Sequence, residues 1–184
     1  MKMKIVDFVK ENLDTMNYNH TLKVRKLAIK IAKKEGADRK VVGVASLLHD
    51  VGKLKSELSK HHEKSVEMAR EFLKNKYDNA FIEKVCNCIE RHMAPFVFGE
   101  DIPRPNDLES KVLYDADMID LISPNGIFKM VYLNCKRGKS FEESVRQTKK
   151  NFQDAYNDLQ TETGRKIAEK YYKLGKRFLG MVSE

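Results

Sequence analysis

Residues 41–53 read VVGVASLLHDVGK, and the way this run ends decides the fold. Asp38 stands where a helix N-cap belongs, and Val42, Ala45 and His49 recur at helical spacing. The run therefore predicts a third helix that carries straight into His49 and Asp50 before Gly52 breaks it. A carboxylate placed directly after an apolar run is costly to bury unless a cation or several hydrogen bonds compensate it. It also lies at the C-terminal end of a helix, the wrong end of the dipole for an anion. An added cation answers both objections; a solvent-facing Asp at a helix end is the plain alternative.

Working outward, the segment 3–16 places Ile5, Phe8, Val9 and Leu13 on one helical face, and a second helix is expected at about 18–35, ended by Gly36 in a C-cap position. Downstream, a fourth helix covers roughly 60–75. A fifth starts after Asp78 and carries Phe81, Ile82, Val85, Ile89 and His92. Segment 94–106, APFVFGEDIPRPN, holds three of the four prolines and shows no helical period, so it reads as a long loop with the character of a lid, with Phe96, Phe98 and Arg104 as candidate contacts. Further helices follow at about 107–122 and 125–136, the latter with Pro124 in its first turn. Ser140 and Glu143 form a capping box for the next one. In the last helix Ile167, Tyr171, Leu174 and Phe178 form the stripe expected to close on the core. No strand alternation or internal repeat interrupts this pattern. The expected fold is all-α, one domain over 1–184 with about 8–9 helices, a site-bearing core at about 18–122, and C-terminal helices over 125–182 packed on it.

Composition agrees. A chain of 184 residues with 41% hydrophobic and 34% charged content can bury a sizeable core. The first residues, MKMKIVDFVKEN, match neither a signal peptide nor a membrane span, which points to a cytoplasmic protein. The three cysteines are expected to be reduced, since Cys86 and Cys88 diverge on one helix. The formal charge of +8 falls almost wholly before residue 93. It favours anionic ligands, although a solvated Lys-rich helix face accounts for most of it.

The chain has five histidines, His20, His49, His61, His62 and His92. His20 shares a stripe with Val24, Leu27 and Ile31, and His92 shares one with Ile82, Val85 and Ile89. Three inward histidines on three helices, each near a helix end, point to a shared site rather than to three separate core residues. In YDADMID, Asp117 follows Leu113 by four residues and faces inward, with Asp115 and Asp120 beside it. Two histidines, the adjoining Asp50 and a distal Asp offer N and O ligands from three helices and leave positions open for water. Gly138-Lys139-Ser140 echoes the end of a phosphate loop, but Leu133 stands where the first glycine belongs and no strand precedes it.

Taken in order, NHTLKVRKLA, ASLLHDVGK, HHEKSVEMAREFL, CIERHM and KVLYDADMIDL resemble the HD superfamily of metal-dependent phosphohydrolases, and TETGRKIAEK resembles the tail of its small bacterial and archaeal members. The resemblance implies an HD-type helical bundle with a metal site of His20, His49, Asp50 and Asp117. Asp50 and Lys53 would be catalytic, Lys53 holding a substrate phosphate. His92 and either His61 or His62 would hold a second metal or contact the phosphate. The pattern His-x-Glu selects His61, whereas the stripe Val66, Ala69 and Leu73 favours His62. The implied reaction is attack of metal-bound hydroxide on the phosphorus of an ester or anhydride, with nucleotides the leading substrates. The cofactor is one divalent ion or two, and N and O ligands suit Mn, Fe, Co, Ni or Zn. Two rival readings remain: a di-iron oxygenase on the same ligands, and a non-catalytic metal protein that binds nucleic acid. A homo-oligomer stays open; a membrane does not enter.

Overall fold

The computed structural model describes residues 3–182, so the terminal residues of the expected domain (1, 2, 183 and 184) lie outside it. Among the described residues there are ten α-helices and no strand: α1 (Ile5–Asn12), α2 (Thr15–Glu35), α3 (Arg39–Leu48), α4 (His61–Leu73), α5 (Asn79–Glu90), α6 (Pro95–Phe98), α7 (Leu108–Ile122), α8 (Pro124–Lys136), α9 (Phe141–Asn157) and α10 (Glu162–Met181). A 3₁₀ turn at Leu58–Lys60 leads into α4. Nine of the ten helices have eight residues or more, and together they form one all-helical domain.

Short polar side chains set the helix starts. Asp14, Asp38, Asp78, Asp107, Ser123, Ser140 and Thr161 each accept a backbone N–H from the first turn of the helix that follows, satisfying donors that have no partner within the helix. Asp14 also explains a difference from the sequence reading. The stretch 3–16 is not one helix, because Asp14 caps α2, which begins at Thr15 rather than near residue 18. Gly36 ends α2 at φ 82°, a left-handed conformation in which a Cβ would be strained.

Helix α7 is the axle of the fold. It packs on α2, α3 and α5 on one side and on α8, α9 and α10 on the other. Val112, Leu113, Tyr114, Ala116, Ile119 and Ile122 are fully buried, while the acids between them, Asp115, Asp117 and Asp120, find polar partners inside the fold.

Two expectations are corrected. The segment 94–106 is not wholly irregular: Pro95–Phe98 forms one helical turn with the proline at its start, too short for a period to register. The segment is also pinned. Ile102 is buried, and Arg104, offered above as a substrate contact, forms a two-pronged ion pair with Asp158 instead. In α10, Ile167 and Tyr171 pack against the core as expected, but Leu174 and Phe178 are 55% and 40% exposed, so the stripe holds only over its first half. The buried face is Gly164, Ala168, Gly175 and Leu179. Small residues permit this approach: a Cβ at Gly175 would lie 2.5 Å from the Phe152 ring. The start of α10 is tied to α7 by Asp115, whose buried carboxylate accepts the Gln160 and Thr161 amides and the Thr161 hydroxyl at 2.7, 2.7 and 2.6 Å.

Candidate metal centre

Three histidines are positioned by the same device. His49, His61 and His92 each stand at or just beyond a helix boundary, and each turns its Nδ1 back to the carbonyl three residues before it: Ser46 O at 2.8 Å, Leu58 O at 2.6 Å and Ile89 O at 2.6 Å. Two of those carbonyls belong to the last turns of α3 and α5, which lack intrahelical donors. His20, in the middle of α2, uses a carboxylate instead, with its Nδ1 2.7 Å from Asp120 Oδ2. A carbonyl oxygen only accepts, so Nδ1 of His49, His61 and His92 carries a proton, which leaves each Nε2 as the ring atom turned inward to serve as a ligand.

Those inward nitrogens gather around Asp50, whose side chain is 1% exposed. Asp50 Oδ2 lies 3.6 Å from Nε2 of both His20 and His49. Its other oxygen, Oδ1, lies 3.2 Å from His61 Nε2 and 3.7 Å from His92 Nε2. Asp117 Oδ1 closes the first group at 3.1 Å from His20 Nε2. One carboxylate therefore faces two sets of donors, one per oxygen. His61 and His92 hold their Nε2 atoms 3.1 Å apart, close enough for one divalent cation to be held by both. Anchored Nδ1 atoms, converging Nε2 atoms and carboxylate oxygens are the donor set expected of a divalent-metal site, and the outer hydrogen bonds fix ring orientation as in known ones.

Without a cation, protons and an ammonium take its place. Burial opposes charge on His20, but its hydrogen bonds to Asp117 and Asp120 prevail and raise its pKa. Burial would also favour a neutral Asp50, yet the Lys53 ammonium, 2.7 Å from Oδ2, and the surrounding imidazoles hold its carboxyl well below the usual range. Asp117 is held low in the same way, chiefly by His20 acting against burial. His49 behaves oppositely: its complete burial lowers the pKa to about 4.

A stability prediction follows for the metal-free protein. Between pH 6.5 and about 4 the unfolded chain carries a proton on this residue and the folded chain does not, so the stability due to neutral His49 is complete above pH 6.5 and is lost as the pH falls toward 4. The difference in unfolding free energy between wild type and His49→Asn, measured by denaturant titration in chelator, should shrink by about 3 kcal/mol over that range. A constant difference would mean that His49 accepts a proton readily in the fold.

Of the site residues expected from the sequence, His20, His49, Asp50, Lys53, His61, His92 and Asp117 meet here, and His62 does not. Its ring is buried, its Nδ1 has no hydrogen-bond partner among the described residues, and it does not border the cavity above Asp50. Lys53 does border it, although bonded to Asp50. This cavity, about 360 Å³, has Asp50, His61 and Asp117 at its base and Phe96, Phe98 and Met130 along its walls. Lys129, which sequence reasoning missed, reaches it from α8; its ammonium also lies 3.4 Å from Asn17 Oδ1. Its only sequence signal was a charge next to an apolar stripe.

A family model described as the HD domain matches residues 17–122, which run from the start of α2 to the end of α7 and include every residue of this centre. The chain belongs to the HD domain family. A predicted HD superfamily hydrolase from an uncultured Thermotogales bacterium is similar over 97% of this chain and 88% of its own, at 25% identity and a TM-score of 0.69. Bacillus subtilis YpgQ shares the fold at 21% identity and a TM-score of 0.77, over 97% of this HD chain and 91% of its own, and has also been solved in complex with ADP. Among curated proteins, ribonuclease Y of Sulfurovum sp. is 32% identical over 138 residues, 74% of this chain and 24% of that protein. The tRNA (cytidine(56)-2'-O)-methyltransferase of Picrophilus torridus is 26% identical over 150 residues, 76% of this chain and 41% of that one. The HD chain thus spans less than half the length of either curated relative. No helix among its described residues is long and apolar enough to cross a membrane.

Proposed function

We propose that this HD protein is a metal-dependent phosphohydrolase that cleaves a phosphate ester or anhydride, with nucleotides as the favoured substrates. The observation that carries the reading is Asp50, buried at the base of a cavity, with one oxygen toward His20 and His49 and the other toward His61 and His92. His20, His49, Asp50 and Asp117 would hold one ion, and Asp50, His61 and His92 a second. When bound, such ions act as Lewis acids on a phosphoryl oxygen and make a coordinated water nucleophilic near neutral pH.

The chain's own residues do the rest. Asp120 holds the His20 ring in place through Nδ1, and the three backbone carbonyls hold the other rings. Lys53, which borders the cavity beside Asp50, would donate to a phosphoryl oxygen and offset charge that builds up during cleavage. The aromatic wall of Phe96 and Phe98 limits water around the reacting group and offers a face for a base. That YpgQ, which shares this fold, has been solved in complex with ADP is the reason to place nucleotides first in the screen.

The test is purification without oxygen, metal quantification, and a phosphate-release screen over nucleotides and sugar phosphates. Turnover should disappear on chelation and return with one of Mn, Fe, Co, Ni or Zn. Undiminished turnover in protein stripped of metal would overturn the reading.

A further inference from the structure

The cavity extends well beyond what the metal centre requires. From Asp50 and Asp117 it runs along α8 to the turn that joins α8 to α9, where Arg137 and Lys139 border it. Lys129 marks the near end of this path: burial lowers its pKa first, followed by the charge of Lys53, and it also feels Asp50, Asp117 and Asp120. Arg137 lies eight residues further on, roughly 12 Å along a helix axis.

The far end is built rather than incidental. The Arg137 amide donates to Leu133 O and Asn134 O, and the Lys139 amide to Asn134 O. Gly138 between them adopts φ 88°, a left-handed turn that places both flanking side chains at the cavity rim. Cations at a helix C-terminus are favoured by the helix dipole, which accounts for a positive charge at this position but not for two that flank a turn at a cavity mouth. Neither Arg137 nor Lys139 takes part in an ion pair among the described residues, in contrast to Lys53, Arg70 and Arg104. Lys139 also borders a neighbouring groove with Arg146 and Lys150, so positive charge continues outward from the rim.

A single phosphate held at Asp50, Lys53 and Lys129 leaves these outer cations without a partner. We propose that Arg137 and Lys139 form a second phosphate-binding subsite, and that the substrate is a molecule with at least two phosphate groups, such as a nucleoside triphosphate or a short phosphodiester chain, rather than a monophosphate. This rests on the phosphohydrolase reading for its kinetic part and stands apart from it for binding.

Two measurements test it on the metal-loaded, full-length protein, comparing wild type with the Arg137→Ala/Lys139→Ala double variant. Both residues are exposed, so the fold should be undisturbed, as checked by helical signal and thermal midpoint. First, the equilibrium affinity for inorganic tripolyphosphate should exceed that for orthophosphate in wild type, and the variant should lose about tenfold on tripolyphosphate only. Second, a nucleoside triphosphate or a 5'-phosphorylated dinucleotide should be turned over with a KM about tenfold higher in the variant, with kcat and all monophosphate parameters retained. The substrate that responds identifies the source of the second phosphate. Equal wild-type kcat/KM for mono- and polyphosphates, together with unaltered tripolyphosphate affinity in the variant, overturns the subsite and leaves the phosphohydrolase reading intact. No turnover of any phosphate compound, with tripolyphosphate binding still dependent on Arg137 and Lys139, overturns the reaction and leaves the subsite standing.

Discussion

Asp50→Asn should emerge from purification with neither equivalent of metal and with turnover reduced on the order of 10³-fold or more. The size of the effect comes from sharing. Asp50 offers one oxygen to each pair of imidazoles, Oδ2 to His20 and His49 and Oδ1 to His61 and His92. The amide removes a full negative charge from a site whose remaining acid is Asp117. It also converts one acceptor into a donor, which must face either the Lys53 ammonium or an imidazole. Asp120→Asn is the useful contrast. That carboxylate reaches the site only through His20 Nδ1, so its loss should weaken metal binding by about 10 to 100-fold and leave the second group loaded. Metal analysis and phosphate release on both variants check this. An Asp50→Asn protein that retained two equivalents of metal and wild-type turnover would show that Asp50 is not the shared ligand.

Gly52→Ala should be strongly damaging although it touches no ligand. A Cβ at this position would stand 2.6 Å from Ser65 N and 2.8 Å from both His61 O and Lys64 C. These are backbone atoms of α4, which cannot swing aside as a flexible side chain can. The Gly52 amide is moreover bonded to Ser65 Oγ at 2.9 Å, so α4 rests directly on this residue. Displacing α4 carries His61 away from Asp50. The expected outcome is destabilisation of about 3 kcal/mol, a fall in thermal midpoint of roughly 6–12 °C, and selective loss of the second metal equivalent. Calorimetry and metal stoichiometry read both. A variant with an unchanged midpoint and two equivalents of metal would mean that α4 accommodates the methyl group without moving.

The Gly52 contact shows where sequence reasoning stops. The glycine is visible as the end of an apolar helix, but the reason for it, a second helix lying against its backbone, is a long-range fact that no local pattern encodes. The same holds for α10. Hydropathy marks Leu174 and Phe178, which are exposed, whereas the closest approach is made through Gly164, Ala168 and Gly175, whose small size is what permits it. By contrast, the caps at Asp38, Asp78 and Ser140 and the left-handed Gly36 are local chemistry and were legible as such. The meeting of His20, His49, Asp50 and Asp117 was also foreseeable, because helical periodicity turns buried polar residues toward a common interior. Periodicity could not choose between His61 and His62. In the structure His61 faces Asp50 because the 3₁₀ turn before α4 offers the Leu58 carbonyl to its Nδ1, and no stripe predicts that turn. Lys129 was hidden for a related reason: among so many lysines, only the cavity distinguishes it.

The donors gathered around Asp50 come from positions 20, 49, 50, 61, 92 and 117, which span more than half of the chain. An ion bound to them is therefore a cross-link as well as a reagent. It ties together segments far apart in sequence, but only once folding has brought them to one place. Because the unfolded chain cannot present these donors together, the folded population becomes tied to the free metal concentration, gaining about 2.7 kcal/mol when that concentration stands a hundredfold above the dissociation constant. Metal supply would then govern not only how fast such a protein works but how long each copy survives proteolysis.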